Sequence, residues 1–254
     1  MTSPLNAILI IHGAYFQPES WSSVITPLME RNFTVECPAL PSCGSSPSQH
    51  PTGTLQDDVD VIRTAAQKLI DASYKLTVLA HSYGGLVASE AITRDLYAAN
   101  TPSGAGVASL ILLSAFLIQP GHSLPGLFKK YGFQCEVDLG YNEDETVSVK
   151  NAVKSLYNDV RSDTVEWLAS GNVMHNIAAA AGNVMGAPWK DLETIYVYLV
   201  QDLAIRLSLQ RSMVKDAARA GGRIQTEVID AGHCAFLSRP DEVVEIVLRV
   251  TGRS

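Results

Sequence analysis

The stretch Lys75-Leu76-Thr77-Val78-Leu79-Ala80-His81-Ser82-Tyr83-Gly84-Gly85-Leu86-Val87-Ala88 decides the fold. Its first half is an apolar run containing Thr and Val and bounded by Tyr74-Lys75, which reads as a buried strand. From Gly84 to about Leu96, the residues Leu86, Val87, Ala91, Ile92 and Leu96 recur at helical intervals. Ser82 therefore falls where a strand turns sharply into a helix. Such a turn strains its central residue and pushes that side chain into the open. The positions two before and two after must be small, and they are Ala80 and Gly84. The pattern is G-x-S-x-G with Ala for the first Gly. Alone it is compatible with a surface serine in a glycine-rich turn, so the rest of the chain has to choose.

The chain has 254 residues, enough for one large α/β domain or two small ones. Hydrophobic residues make up 46% and charged residues 18%, which suits a sizeable core. The net charge is −7 and the longest basic run is Lys129-Lys130, so nothing attracts a nucleic-acid backbone. Cys37, Cys43, Cys135 and Cys234 show no C-x-x-C spacing and no nearby histidine pair. That argues against a metal site and for reduced thiols in a cytoplasmic protein, with a Cys37–Cys43 pairing left open. The N-terminus has no basic leader, and the apolar run after it is too short to span a membrane.

Outward from the central stretch, Ala7 to Ile11 is apolar on both faces, as in a strand covered by helices on both sides. It ends in His12-Gly13-Ala14-Tyr15-Phe16, and Pro18 opens a helix with Trp21, Val24, Ile25 and Leu28 on one side. His12 reads as a residue holding that loop. Phe33 to Cys37 is the next strand and Pro38 to Gly53 a long loop. Thr54, with Asp57 three residues on, caps a helix running to about Ser73. Val107 to Ser114 is a further strand, followed by Ala115-Phe116. The alternation implies an α/β fold with a parallel sheet.

Residues 119–190 break it. They hold no obvious buried strand, and helices are expected over 149–160 and from 163 to about 181. The organisation expected is a core of residues 1–118 and 191–254 with a helical lid at 119–190. Trp167, Trp189, Met174, Met185 and Leu127 read individually as core of the lid and are also candidates for the pocket lining, with Trp189 a candidate substrate contact. The sheet resumes at Glu193 to Val200, followed by Gln201-Asp202. After a helix at about 207–220, the last strand, Arg223 to Asp230, runs into Ala231-Gly232-His233-Cys234, and a final helix covers 241 to about 250.

A serine hydroxyl needs a base, and the base needs an acid to orient it. Ser82, Asp202 and His233 each follow a strand, and in a parallel sheet the strand ends share one crevice. His81 points away in such a turn, and His50, His122 and His175 lie in a loop or in the insertion. Asp230 competes with Asp202 but sits within the end of its strand. The N–H groups of Ala14 and Tyr83 are the expected oxyanion donors. Tyr15, Phe16, Phe116 and Leu203 are the remaining expected substrate contacts.

With Ile11-His12-Gly13-Ala14, Trp21, Leu40-Pro41, Ala80-His81-Ser82-Tyr83-Gly84-Gly85, Asp202, Ala231-Gly232-His233 and Ser238-Arg239-Pro240, the chain resembles the small α/β-hydrolases. The group is that of plant methylesterases, hydroxynitrile lyases and related fungal and bacterial esterases. The resemblance implies the α/β-hydrolase fold, no cofactor, and the roles given to Ser82, His233 and Asp202. Two departures are visible. Ala80 replaces the usual Gly, and Cys234 stands where hydroxynitrile lyases of the group carry a Lys, which counts against cyanide chemistry. The expected activity is hydrolysis of a small-to-medium hydrophobic ester or lactone. The alternatives are a lyase or cyclase using His233 as a plain base, and a non-catalytic receptor, the last disfavoured by the complete set of three residues.

Overall fold

The computed structural model describes residues 5–133, 137–161 and 163–253. In chain order, β1 (Leu5–Ile11) leads through a 3-10 turn (Pro18–Trp21) to α1 (Ser22–Glu30) and β2 (Thr34–Glu36). Then come α2 (Leu55–Asp71), β3 (Tyr74–His81), α3 (Gly84–Ala91) and β4 (Gly106–Leu113). The next segment holds α4 (Leu124–Tyr131), β5 (Leu139–Tyr141), β6 (Thr146–Val149) and α5 (Ala152–Ser155). It continues with α6 (Val165–Ser170), β7 (His175–Asn176) and α7 (Ala178–Ala181). The chain closes with β8 (Glu193–Leu199), α8 (Leu207–Arg219), β9 (Ile224–Ile229), α9 (Ala235–Ser238) and α10 (Pro240–Thr251).

The main sheet has six strands in the order β2-β1-β3-β4-β8-β9, and every pairing in it is parallel. Alternation along each strand divides the interior in two. Ala7, Leu9, Ile11, Val78 and Ala80 face the layer formed by α2, α3 and α8. Ile8, Ile10 and Leu79 face Trp21, Val24 and Leu28 and the Val243 to Val247 stripe of α10. Strands buried on both faces read as unbroken apolar runs, which is why Ala7–Ile11 was legible. α2 begins as its sequence predicts: the Thr54 side chain accepts the Asp57 N–H, and Asp57 accepts the Thr54 N–H at 2.8 Å. The chain leaves β1 toward β2, then returns to the other side of β1 with β3. The strand order therefore reverses between β1 and β3, and the crevice beyond their carboxyl ends is the natural place for a site.

Two expectations fail. The helix after Ser82 ends at Ala91 rather than near Leu96, and Arg94–Leu96 forms a separate 3-10 turn. The Arg63 guanidinium reaches across from α2 and donates to the Ala91 carbonyl and the Thr93 hydroxyl, capping the helix early. The segment between β4 and β8 is also not a purely helical lid. It carries a three-stranded antiparallel sheet, β5-β6-β7, and its helices are short. The Thr146-Val147-Ser148-Val149 run, rich in β-branched residues and with Thr146 and Val147 buried, forms a strand whose last residue, Val149, is where a helix was expected to begin. The turn before it is fixed by Glu145 at φ 65° and by the Asn142 N–H donating to the Thr146 carbonyl.

Cys37, Cys43 and Cys234 are free thiols, so the Cys37–Cys43 pairing does not form. Cys135 lies outside the described residues. Burial pushes the Cys37 and Cys43 thiols up to about 12. No helix among the described residues is long and apolar enough to cross a membrane.

Candidate active site

Ser82 sits between β3 and α3 with φ 53°, the strained conformation a strand-to-helix elbow imposes. The approach that makes this turn possible is visible at its glycines. A Cβ on Gly84 would lie 2.3 Å from the Ile11 carbonyl oxygen, and one on Gly85 2.3 Å from that of Phe116. α3 is thus wedged between the ends of β1 and β4, and only glycine fits at these two positions. Ala80 is fully buried in β3, where its methyl group is accommodated.

The three residues singled out from the sequence meet. The Ser82 hydroxyl lies 3.1 Å from His233 Nε2, and His233 Nδ1 lies 2.7 Å from Asp202 Oδ2. All three are buried. Asp202 is saturated as an acceptor. Its Oδ2 also takes the Ser114 hydroxyl at 2.7 Å, and its Oδ1 takes the N–H groups of Ala204 and Ile205, each at 2.7 Å. This network leaves the carboxylate one orientation. Asp230 is exposed and accepts from Gln201 Nε2 instead.

His81 points away from the crevice, but its Nε2–H donates to the His233 carbonyl at 3.0 Å, bracing the histidine loop from behind. Burial drives its pKa far below the ordinary histidine value, so the ring is neutral. His12 holds the loop after β1, as expected: Nδ1–H donates to the Gly13 carbonyl at 2.8 Å and Nε2 accepts the Leu40 N–H at 3.3 Å. Burial lowers it to about 4. The N–H groups of Ala14 and Tyr83 have no hydrogen-bond partner among the described residues, and both residues border the crevice. The Tyr83 hydroxyl donates to Asp58 at 2.7 Å, and Asp58 also accepts from the Ser42 N–H and hydroxyl. Burial raises the Asp58 pKa. The segment between β4 and β8 reaches the β1 loop too, since the Val173 N–H and the Asn172 amide both donate to the Tyr15 carbonyl.

Ser82 and His233 open onto a cavity of about 530 Å³. Its floor includes Ala14, Tyr15, Tyr83 and Phe116 from the core, with Ala204 and Ile205. Its roof is supplied by the segment between β4 and β8, including Leu124, Phe128, Leu139, Leu156 and Ile177. The lining is mostly apolar. Three expected contacts lie elsewhere. Phe16 packs in the core against Phe236, ring centres 5.4 Å apart, because the positive φ of Tyr15 turns the next side chain inward. Leu203 misses the cavity, whereas its neighbours Ala204 and Ile205, folded back onto Asp202, line it. Trp189 is fully buried in the core under Gly222, whose added Cβ would lie 2.7 Å from its ring. Of the other lining candidates, Trp167 and Met185 are exposed. Met174 accepts from Asn142 at 3.5 Å, and Leu127 packs near Met213, away from this cavity.

Ser114, Ser42, Asp58 and His175 were not singled out by sequence. Ser114 alone left a trace, as the last residue of a strand beside the site. Among the described residues no group of three or more His, Cys, Asp or Glu side chains is arranged to hold a metal ion.

A family model described as the alpha/beta hydrolase family matches residues 8–246. An alpha/beta hydrolase, nvfD, of Aspergillus novofumigatus is 29% identical over 98% of this chain and 97% of its own length. The polyneuridine aldehyde esterase of Rauvolfia serpentina is 20% identical over 96% of this chain and 94% of its own. A crystal structure of a polyneuridine aldehyde esterase aligns with a TM-score of 0.76 over 97% of this chain and 99% of that one, at 16% identity. A pyrethroid hydrolase from Sphingobium faniae JZ-2 aligns with a TM-score of 0.75 over 98% of both chains, at 18% identity. At these identities the structural likeness speaks for the shared fold, and the family match carries the assignment: the chain belongs to the alpha/beta hydrolase family.

Proposed function

We propose that this protein is a serine esterase or lactonase acting on a small-to-medium hydrophobic substrate through a covalent acyl-enzyme. One observation carries this reading: the hydrogen-bonded line from Ser82 through His233 to Asp202 ends at an apolar cavity of about 530 Å³. With its Nδ1–H on Asp202, the neutral imidazole presents a lone pair at Nε2 to the Ser82 hydroxyl. Ser82 Oγ attacks the substrate carbonyl while His233 takes its proton. The free N–H groups of Ala14 and Tyr83 receive the oxyanion, each donor contributing about 3 kcal/mol of transition-state stabilisation. His233 then protonates the leaving alkoxide, and in the second half it takes a proton from water as that water attacks the acyl group. Asp202 remains a carboxylate throughout.

Residues 119–190 act as a lid over this chemistry, giving the cavity its apolar roof and excluding bulk water from the acyl-enzyme. No organic cofactor takes part. The free thiols Cys37, Cys43 and Cys234 support a reducing, cytoplasmic setting.

The test is a panel of hydrophobic esters and lactones turned over in H₂¹⁸O by the native protein and by Ser82→Ala. Hydrolysis leaves one solvent oxygen in the acid product, and Ser82→Ala lowers turnover by at least about 10³-fold. A product without solvent oxygen assigns the site to elimination or cyclisation instead, and a folded Ser82→Ala protein of undiminished activity excludes the acyl-enzyme.

A further inference from the structure

His175 is a buried polar group of the cavity wall that the chemistry at Ser82 does not use. Its backbone is fixed from two sides. β7 pairs with β6 at Val147, and Cys43 bridges to it from the loop between β2 and α2. Its neighbours do the same: the Gly44 N–H donates to the Met174 carbonyl and the Asn176 N–H to the Ser42 carbonyl, each at 2.8 Å. The ring is held edge-on between two tyrosines, 4.6 Å from the Tyr83 ring centre and 5.9 Å from that of Tyr15. It therefore packs directly on the ring of Tyr83, the residue that follows Ser82.

This imidazole is 2% exposed, and neither nitrogen has a hydrogen-bond partner among the described residues. Nε2 is sealed off, whereas Nδ1 is not, and the residue borders the cavity. A side chain present only for packing would be better served there by phenylalanine or leucine, because a desolvated, unpaired polar atom destabilises the folded state. Burial lowers the ring to about 3, so at neutral pH it is uncharged and offers one donor or acceptor, not a cation. The charged side chain on the cavity wall is Glu145, which disfavours an anionic ligand.

We propose that His175 is a specificity residue that hydrogen-bonds an uncharged oxygen function, a hydroxyl or a ketone, carried by the substrate at a distance from its scissile carbonyl. The proposal rests on the esterase reading. The preferred substrate is then a hydrophobic ester or lactone with a second, neutral oxygen group, and plain alkyl esters are poorer because they leave the imidazole unpaired.

The test uses p-nitrophenyl esters of straight-chain acids in matched pairs, one plain and one bearing a hydroxyl or ketone at successive positions along the chain. For the native protein the best oxygenated ester exceeds its plain partner in kcat/KM by about 10-fold or more, as expected where a site is built around a hydrogen bond. In His175→Phe that ratio falls to within about threefold of unity, while His175→Gln, which keeps a donor and an acceptor, retains part of it. A second reading does not depend on those variants folding: in ¹⁵N-histidine-labelled Ser82→Ala protein, the His175 ring resonances shift on adding the oxygenated ester and not on adding the plain one. Turnover of plain esters with a ratio that His175→Phe leaves unchanged, or no preference anywhere in the series, overturns the role of His175 and leaves the esterase reading standing. No turnover of any ester by the native protein overturns both.

Discussion

Asp202→Asn is expected to lower kcat by about 10⁴-fold, with a folded protein and a KM within about threefold of native. The reason lies in how many donors converge on this carboxylate. Oδ1 accepts two backbone N–H groups, from Ala204 and Ile205, and Oδ2 accepts His233 Nδ1–H and the Ser114 hydroxyl. An asparagine has one oxygen to accept with. Placed toward Ala204 and Ile205, that oxygen leaves the amide NH₂ facing His233, which then presents its Nδ1 lone pair and moves its proton to Nε2. Nε2 faces Ser82 Oγ at 3.1 Å, so the base is lost while the cavity is unchanged. Steady-state kinetics on the best ester of the panel, with circular dichroism to verify folding, checks this. An Asp202→Asn protein within 10-fold of native would mean that His233 does not work as a base oriented by Asp202.

The second large effect is on stability. Between pH 6 and pH 5 the free energy of unfolding is expected to fall by about 3 kcal/mol. Three buried histidines around the site are held neutral: His12 at about 4, His175 at about 3, and His81 far below its ordinary value. Unfolded, each would take up a proton near pH 6.5. Across the window from there down to the folded values, the unfolded chain binds more protons, so stability rises with pH. The stabilisation is complete above about pH 7 and is lost as pH falls through the window, by about 1.4 kcal/mol per pH unit for each histidine. Asp58 works the other way. Its raised pKa means the folded state holds its proton more tightly, which favours folding on the acid side. Urea unfolding at pH 7, 6 and 5 measures the slope, and His12→Asn should remove about 1 kcal/mol of the loss between pH 6 and 5. A stability that is flat across this range would show that these rings take up protons in the folded state at the same pH as in the unfolded chain.

The legible parts of the sequence were those where one physical requirement dominates. β1 and β3 had to be apolar on both faces, and α3 had to start at glycines because backbone oxygens crowd it. The positions of Ser82, Asp202 and His233 followed from strand ends. The segment between β4 and β8 was not legible, because its strands are two to four residues long and shorter than any period can reveal. Errors about the cavity had a similar cause. Adjacent residues in a loop point to different sides, so Tyr15 lines the cavity while Phe16 enters the core, and Ala204 and Ile205 take the place expected of Leu203. Trp189 is fully buried under Gly222 and does not reach the cavity. His175 carried no sequence signal at all, since what distinguishes it is the absence of partners in three dimensions.

The central claim is that Ser82 is an activated nucleophile. The most direct measurement is intact mass after incubation with a fluorophosphonate, followed by peptide mapping, with Ser82→Ala as control. The account predicts one adduct per chain, on Ser82, absent from Ser82→Ala and much slowed in Asp202→Asn. A folded native protein that gains no adduct, or gains one on another residue, would contradict it.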